Sequence, residues 1–233
     1  MEKKLGVLGG MGPFATSVFF ERMIERTNAT KDQEHIDMII LNHATLPDRT
    51  EAIITERPDA FLRSIEKDIK LLDVAGVSNI VIPCNTSHYF FSDMQAMTSI
   101  HIINMVDKTI DFIKEKYGHE GKVGILATDG TILSGVYERA CEKKGIDSLI
   151  PDSKTQKQVM SIIYKIKSNL HVHAPELNTI IHKLITEQNC TTVILGCTEL
   201  SCVPIDARVA NHCVDPMNIL VEAAIHASGK DIN

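Results

Sequence analysis

Asn79-Ile-Val-Ile-Pro-Cys-Asn-Thr86 and Thr192-Val-Ile-Leu-Gly-Cys-Thr-Glu199 repeat one pattern at an offset of 113 residues. In each, a short apolar run rich in β-branched residues meets a Pro or Gly, then a cysteine, then polar residues. An apolar run without polar alternation fits a strand buried on both faces, as in a parallel sheet covered by helices. Each cysteine then stands immediately beyond the carboxyl end of its strand, which is where ligands bind in open α/β sheets.

Working outward, the same units recur. Residues 5–8 and 123–126 read as strands followed by glycine-containing turns, and Pro13 suits the first position of a helix reaching about Thr27. Residues 35–42 form another strand. Pro58 opens a helix whose Phe61, Ile65, Ile69 and Leu72 recur at helical spacing, with Gly76 as its stop. Further helices are expected near 87–97, 104–116, 131–144, 156–169 and 174–188.

Gly6-Val-Leu8 matches Gly124-Ile-Leu126, and Gly12 matches Gly130, at an offset of 118. Phe20-Glu-Arg22 matches Tyr137-Glu-Arg139 at an offset of 117. Ordered matches at nearly one offset indicate an internal duplication. The expected fold is α/β: two similar parallel-sheet domains related by a pseudo-twofold, with a cleft between them. The boundaries read as 1–116 and 117–208, with a C-terminal helix over about 209–233 packing back on the first domain. Two thiols facing each other across such a cleft suit a reaction that needs an acid and a base on opposite faces of one carbon.

The 233 residues are enough for one large core or two small ones, and carry a formal net charge of −6. No basic stripe stands out, so nucleic acid and anionic membranes are poor partners. An anionic small substrate needs a local cationic pocket. No run of 18 apolar residues occurs. The apolar stretch near the start is broken by Gly9, Gly10, Gly12 and Pro13 and continues into a charged helix, so a cytoplasmic protein is expected.

Six cysteines without a CxxC pair argue against a disulfide framework. A cysteine is by default a small buried apolar residue; Cys84 and Cys197 depart from that default through their equivalent positions. Gly10-Met-Gly-Pro-Phe-Ala15 fits a dinucleotide fingerprint formally. The acidic residue expected after the second strand is missing, because Asn42 and His43 stand there. His171-Val-His173 and the Cys197–Cys202 spacing invite a metal reading, but no second cluster completes either, and no metal is expected. His43 and His88 read as pocket or surface polar groups rather than bases.

Four motifs then carry a family resemblance: Gly6-Val-Leu-Gly-Gly-Met-Gly-Pro-Phe-Ala-Thr16, Leu46-Pro-Asp-Arg-Thr50, Pro83-Cys-Asn-Thr-Ser-His88 and Leu195-Gly-Cys-Thr-Glu-Leu200. Over nearly the whole chain the sequence resembles the aspartate/glutamate racemase superfamily, and within it the aspartate-racemase branch. The resemblance implies amino-acid racemisation without a cofactor, Cys84 and Cys197 as the catalytic thiols, and a homodimer. It implies that Arg49 and Lys167 hold a side-chain carboxylate, with Lys165 the neighbouring alternative. It also implies that Met11, Asn85, Thr86 and Thr198 line the substrate pocket. Val214-Asp-Pro-Met217 departs from the family by lacking a hydroxyl residue after its aspartate, and reads as packing.

Chemically, one cysteine must start each turnover as thiolate and the other as thiol, and their states exchange. A reference thiol pKa of about 8.5 can be tuned either way. Asn85-Thr86 and Thr198-Glu199 are expected to enter helices whose N–H groups face each sulfur. Glu199 either supports Cys197 or is a helix-start charge. The preferred substrate is aspartate; glutamate or a broad range of amino acids is the alternative. A one-cysteine decarboxylase or isomerase of dicarboxylates, or a non-catalytic binder of small acids, fits less well because both thiols are present.

Overall fold

The structure is a computed structural model that describes residues 3–118, 121–168 and 175–233. Its first half contains strands β1 (Leu5–Gly9), β2 (Met38–Asn42), β3 (Asn79–Val81) and β4 (His101–Ile102). Between and after them run α1 (Pro13–Arg26), α2 (Arg49–Ile54), α3 (Asp59–Val74), α4 (Phe91–Ala96) and α5 (Met105–Tyr117). The second half contains β5 (Lys122–Ala127), β6 (Asp147–Leu149), β7 (Cys190–Gly196) and β8 (Cys213–Val214). Its helices are α6 (Asp129–Ser134), α7 (Val136–Lys144), α8 (Ser153–Ser168), α9 (Pro175–Thr186), α10 (Ala207–Ala210) and α11 (Pro216–Ala227).

The two sheets have the same wiring. Their orders are β2-β1-β3-β4 and β6-β5-β7-β8, and every pair within them is parallel. The strands that lead to Cys84 and Cys197, β3 and β7, are thus equivalent and internal, each paired with the first strand of its half. This is the two-domain α/β arrangement expected from the repeated pattern.

Helices cover both faces of each sheet. On one face of the first sheet, Phe61, Ile65, Ile69 and Leu72 of α3 pack with Leu8, Ile80 and Ile82. On the other, Phe19 and Met23 of α1 join Leu220, Val221 and Ile225 of α11 over Leu5, Val7 and Val81. Each such fully buried side chain contributes about 1.5–3 kcal/mol. Helix α5 buries Val106, Ile110 and Ile113 against Val123, Ile125 and Ile194 of the second sheet. The halves therefore share α5 and α11, which also pack on each other, and the packing ties them more closely than a simple boundary at 116/117 implies.

Two expected helices are divided. The segment 131–144 breaks at Gly135, which adopts a left-handed φ of 60° and separates α6 from α7. The expected C-terminal helix from about 209 is instead α10, then β8 in the second sheet, then α11. Asp215 accepts from Met217 N and Pro216 occupies the first turn, so α11 starts there. Among the described residues no helix is long and apolar enough to cross a membrane.

Candidate active site

Both cysteine turns open onto one small cavity between the sheets. Cys84 and Cys197 are 4% and 5% exposed, and Met11, Arg49, Asn85, Thr86, Lys167, Thr198 and Glu199 line the cavity with them. Asp48, Thr50 and Thr128 complete its wall. The cavity is nearly closed, with a free volume of about 20 Å³, well below the range of ordinary ligand pockets. All nine residues expected at the site thus meet at one place.

The turns after the cysteines are tighter than expected. Residues Thr86–Phe90 and Leu200–Cys202 are 3-10 helices rather than α-helices. Cys84 N bonds Ile82 O at 2.7 Å, and Leu200 N bonds Cys197 O at 2.9 Å. A short 3-10 turn still brings the Glu199 backbone N–H to the Cys197 sulfur, where it favours the thiolate. Side chains add a stronger local field.

Cys197 carries a carboxylate neighbour. Its Sγ donates to Glu199 Oε2 at 2.9 Å, and Glu199 Oε1 lies 3.9 Å from Lys167 Nζ. Burial first, and then the Glu199 charge, push the Cys197 thiol well above its ordinary value, with Lys167 pulling the other way. Cys197 accordingly holds its proton. No such carboxylate bonds Cys84 Sγ among the described residues. For Lys167, burial works against the ammonium, but Glu199, Cys197 and Cys84 outweigh it and the pKa is raised. The lysine stays cationic inside the site.

Arg49 is the first residue of α2 rather than a loop residue. Asp48 caps that helix by accepting from Glu51 N at 2.8 Å. The Arg49 guanidinium bonds the carbonyls of Pro47 at 3.1 Å and Leu46 at 3.5 Å through one terminal nitrogen, while its buried Nε has no partner. An unpaired Nε–H leaves one edge of the fork open to a carboxylate. Lys165 faces a different surface hollow with Gln158 and Glu176, so Lys167 is the lysine of this site.

Several supporting residues were not legible as such. Thr128 caps α6 by accepting from Thr131 N, and Thr86, Thr128 and Thr131 hydroxyls form a triangle of contacts at 2.9–3.0 Å across the two halves. The N-cap position of a threonine just past β5 was the available signal. His88 is fully interior: Nδ1 sits 2.9 Å from Cys84 O and Nε2 accepts from Met105 N at 3.0 Å. Accepting at Nε2 places the proton on Nδ1, and burial lowers its pKa despite the Cys84 carbonyl. It is a neutral clamp on the Cys84 turn. His43 instead pairs with Asp68 at 2.8 Å.

Asp215 does more than pack. It accepts from Ser201 Oγ at 2.6 Å and from Arg22 at 2.7 Å, while Arg22 also bonds Ser201 O, anchoring the turn that follows Cys197. Cys202 Sγ donates to Thr198 O at 3.2 Å. His171 and His173, weighed for metal binding, lie outside the described residues, and among the described residues no group of His, Cys, Asp and Glu is arranged to hold a metal ion.

Comparison with known proteins identifies the family and the fold. The chain is 28% identical over 207 residues to the broad specificity amino-acid racemase RacX of Bacillus subtilis, covering 85% of this chain and 86% of that one. Its structure superposes on the Picrophilus torridus aspartate racemase with a TM-score of 0.84 at 30% identity, covering 99% and 96% of the two chains. A glutamate racemase of Francisella tularensis, solved with D-glutamate, shares the fold at a TM-score of 0.67 and 21% identity, covering 97% and 80%. The Asp/Glu/Hydantoin racemase model matches residues 8–224. With nearly the whole chain matched, and both halves of the fold reproduced in a relative, this protein belongs to the Asp/Glu/Hydantoin racemase family and is by class an isomerase.

Proposed function

We propose that the protein is a cofactor-independent amino-acid racemase that exchanges the α-proton between Cys84 and Cys197, with aspartate as its substrate. The observation that carries this reading is the convergence of two cysteine turns, from two equivalently wired sheets, on one cavity that also holds Lys167 and Arg49.

The resting arrangement is unequal. Cys197 is held as a thiol by burial and Glu199, so Cys84 is the base in the form that takes the first enantiomer. The Cys84 thiolate removes the Cα proton from one face and the Cys197 thiol donates its own to the other. Cys84 is left as thiol and Cys197 as thiolate, ready for the opposite enantiomer. The carbanionic character at Cα is stabilised electrostatically, by cations and donors placed before the reaction begins. Lys167 supplies the mobile point charge and Arg49 the planar fork.

Aspartate is favoured by the open Arg49 edge and the small cavity, and by the likeness to the Picrophilus torridus enzyme. The likeness to RacX favours a wider range. By family resemblance the working form is a homodimer. Incubation with L-aspartate in deuterated water, followed by chiral chromatography and mass spectrometry, tests the reading. D-aspartate carrying one α-deuterium is expected, and Cys84→Ala and Cys197→Ala are each expected to abolish its formation. A panel of amino acids run alongside separates aspartate from glutamate and from broad specificity. Absence of α-exchange with every amino acid would sink racemisation.

A further inference from the structure

We infer that Tyr137 is a positioning residue that reaches across the cleft and orients the Asn85 amide so that its NH2 group receives the substrate carboxylate. Tyr137 lies on α7 in the second half of the chain, and Asn85 follows Cys84 in the first. The phenol donates to Asn85 Oδ1 at 2.5 Å. The amide oxygen faces Tyr137 and accepts its hydrogen bond. The other end, Asn85 Nδ2, is buried and has no hydrogen-bond partner among the described residues, although Asn85 lines the cavity.

A buried amide NH2 without a partner costs about 1–3 kcal/mol. Native sites keep such a group where a ligand completes it. A carboxylate oxygen is the matching acceptor in a cavity that already holds Lys167 and Arg49. Were the amide turned over, its oxygen would face that carboxylate and repel it. The bond from the Tyr137 phenol to the amide oxygen holds Asn85 the right way round, and burial keeps that phenol protonated.

The same ring lies beside the strand end that leads to the other cysteine. A Cβ built on Gly196, the residue before Cys197, would lie 3.4 Å from the Tyr137 ring. Tyr137 is 1% exposed, so one buried side chain sits between the Asn85 turn and the end of β7. The matching position in the first half by the sequence repeat is Phe20, which has no hydroxyl and is 40% exposed. The bridge is a one-sided addition to the duplicated frame.

This inference rests on the racemase reading only for its kinetic readout. Four proteins are compared: wild type, Tyr137→Phe, Asn85→Ala and the double variant. KM and kcat are measured for L- and D-aspartate, and L-aspartate affinity is measured by calorimetry. Tyr137→Phe keeps the ring and is expected to raise KM and Kd about tenfold, the loss of one hydrogen bond to a charged group, with kcat within about threefold. Asn85→Ala is expected to do the same, and the double variant to be no worse than either single one. Multiplying effects, or an unchanged KM and Kd in Tyr137→Phe, would overturn the assignment. A wild type that binds aspartate without racemising it refutes the racemase reading and leaves the Kd cycle to decide Tyr137. A wild type that binds no aspartate overturns aspartate as the substrate, and the same four-protein cycle run with the amino acid that does undergo α-exchange decides Tyr137.

Discussion

Replacing Glu199 by Gln removes one negative charge beside Cys197 and little else. The two side chains are nearly isosteric, and the amide can still accept the thiol bond now 2.9 Å long. With the charge centres about 4 Å apart and an effective dielectric of about 20, thiolate–carboxylate repulsion is about 4 kcal/mol. Lys167, 3.9 Å from the same carboxylate, partly neutralises it. Taking the offset as about half leaves about 2 kcal/mol, or about 1.5 pH units.

The direction is fixed by the charge removed. Glu199 disfavours the Cys197 thiolate and holds its pKa up; without it, the thiolate forms at lower pH. Racemisation needs one proton on the cysteine pair, so the pair titrates as a unit with two apparent pKa values. The alkaline limb of kcat/KM reports loss of the last proton, the one held by Cys197. Glu199→Gln should therefore move that limb about 1.5 units toward acid. Initial rates with L-aspartate from about pH 6 to 10, followed by chiral chromatography, read the shift, and thiolate absorbance read across the same range checks it independently. An alkaline limb that stays put or moves upward would refute the electrostatic reasoning.

Other residues yield shorter tests. A Cβ on Gly130 would lie 2.6 Å from Thr50 Oγ1 and 2.8 Å from Thr50 Cα, so Gly130→Ala should wedge α6 from α2 and raise KM, at a cost of about 1–3 kcal/mol; equal KM would show that this contact does not shape the cavity. Arg49→Lys keeps a charge but loses the planar edge, and should raise the KM for aspartate about tenfold while leaving that for alanine nearly unchanged. His88 is neutral and interior with a lowered pKa. The unfolded chain gains a proton there before the folded one does, so stability conferred at high pH falls as pH drops below about 6.5. Melting temperatures between pH 5 and 8 should show that slope in the wild type and a shallower one in His88→Gln.

The central strands were readable because they are the hydrophobic runs. Residues 79–81 and 190–196 form β3 and β7, and their burial on both faces makes composition a sufficient signal. Strands β4 and β8 have two residues each, too short to show a period, and they are held by the neighbour's register rather than by their own pattern. Helix α2 was missed although Asp48 and Glu51 stand three apart, the spacing of a helix-start cap. The charged residues of the site were assigned by resemblance, and the cavity brings them together. What spacing could not reveal are contacts between the halves. Tyr137 and Asn85 are 52 positions apart, and nothing local to either one encodes the bond.

The inequality of the two thiols is compatible with racemisation, and it has a kinetic signature. Enantiomers have equal free energy in water, so kcat/KM must be equal in the two directions whatever the enzyme does to its cysteines. The individual constants are not so bound. With Cys197 holding the proton, the form that accepts one enantiomer dominates, and the form that accepts the other is a minority. A minority binding form raises apparent KM in inverse proportion to its population. About 2 kcal/mol between the forms corresponds to about a 30-fold difference in KM. The equality of kcat/KM then demands that the same enantiomer also turn over about 30-fold faster at saturation. Both ratios trace to the Glu199 carboxylate, so Glu199→Gln should draw KM and kcat for L- and D-aspartate together. Ratios that survive the substitution would place the asymmetry elsewhere, in the different contacts each enantiomer makes with Arg49 and Lys167.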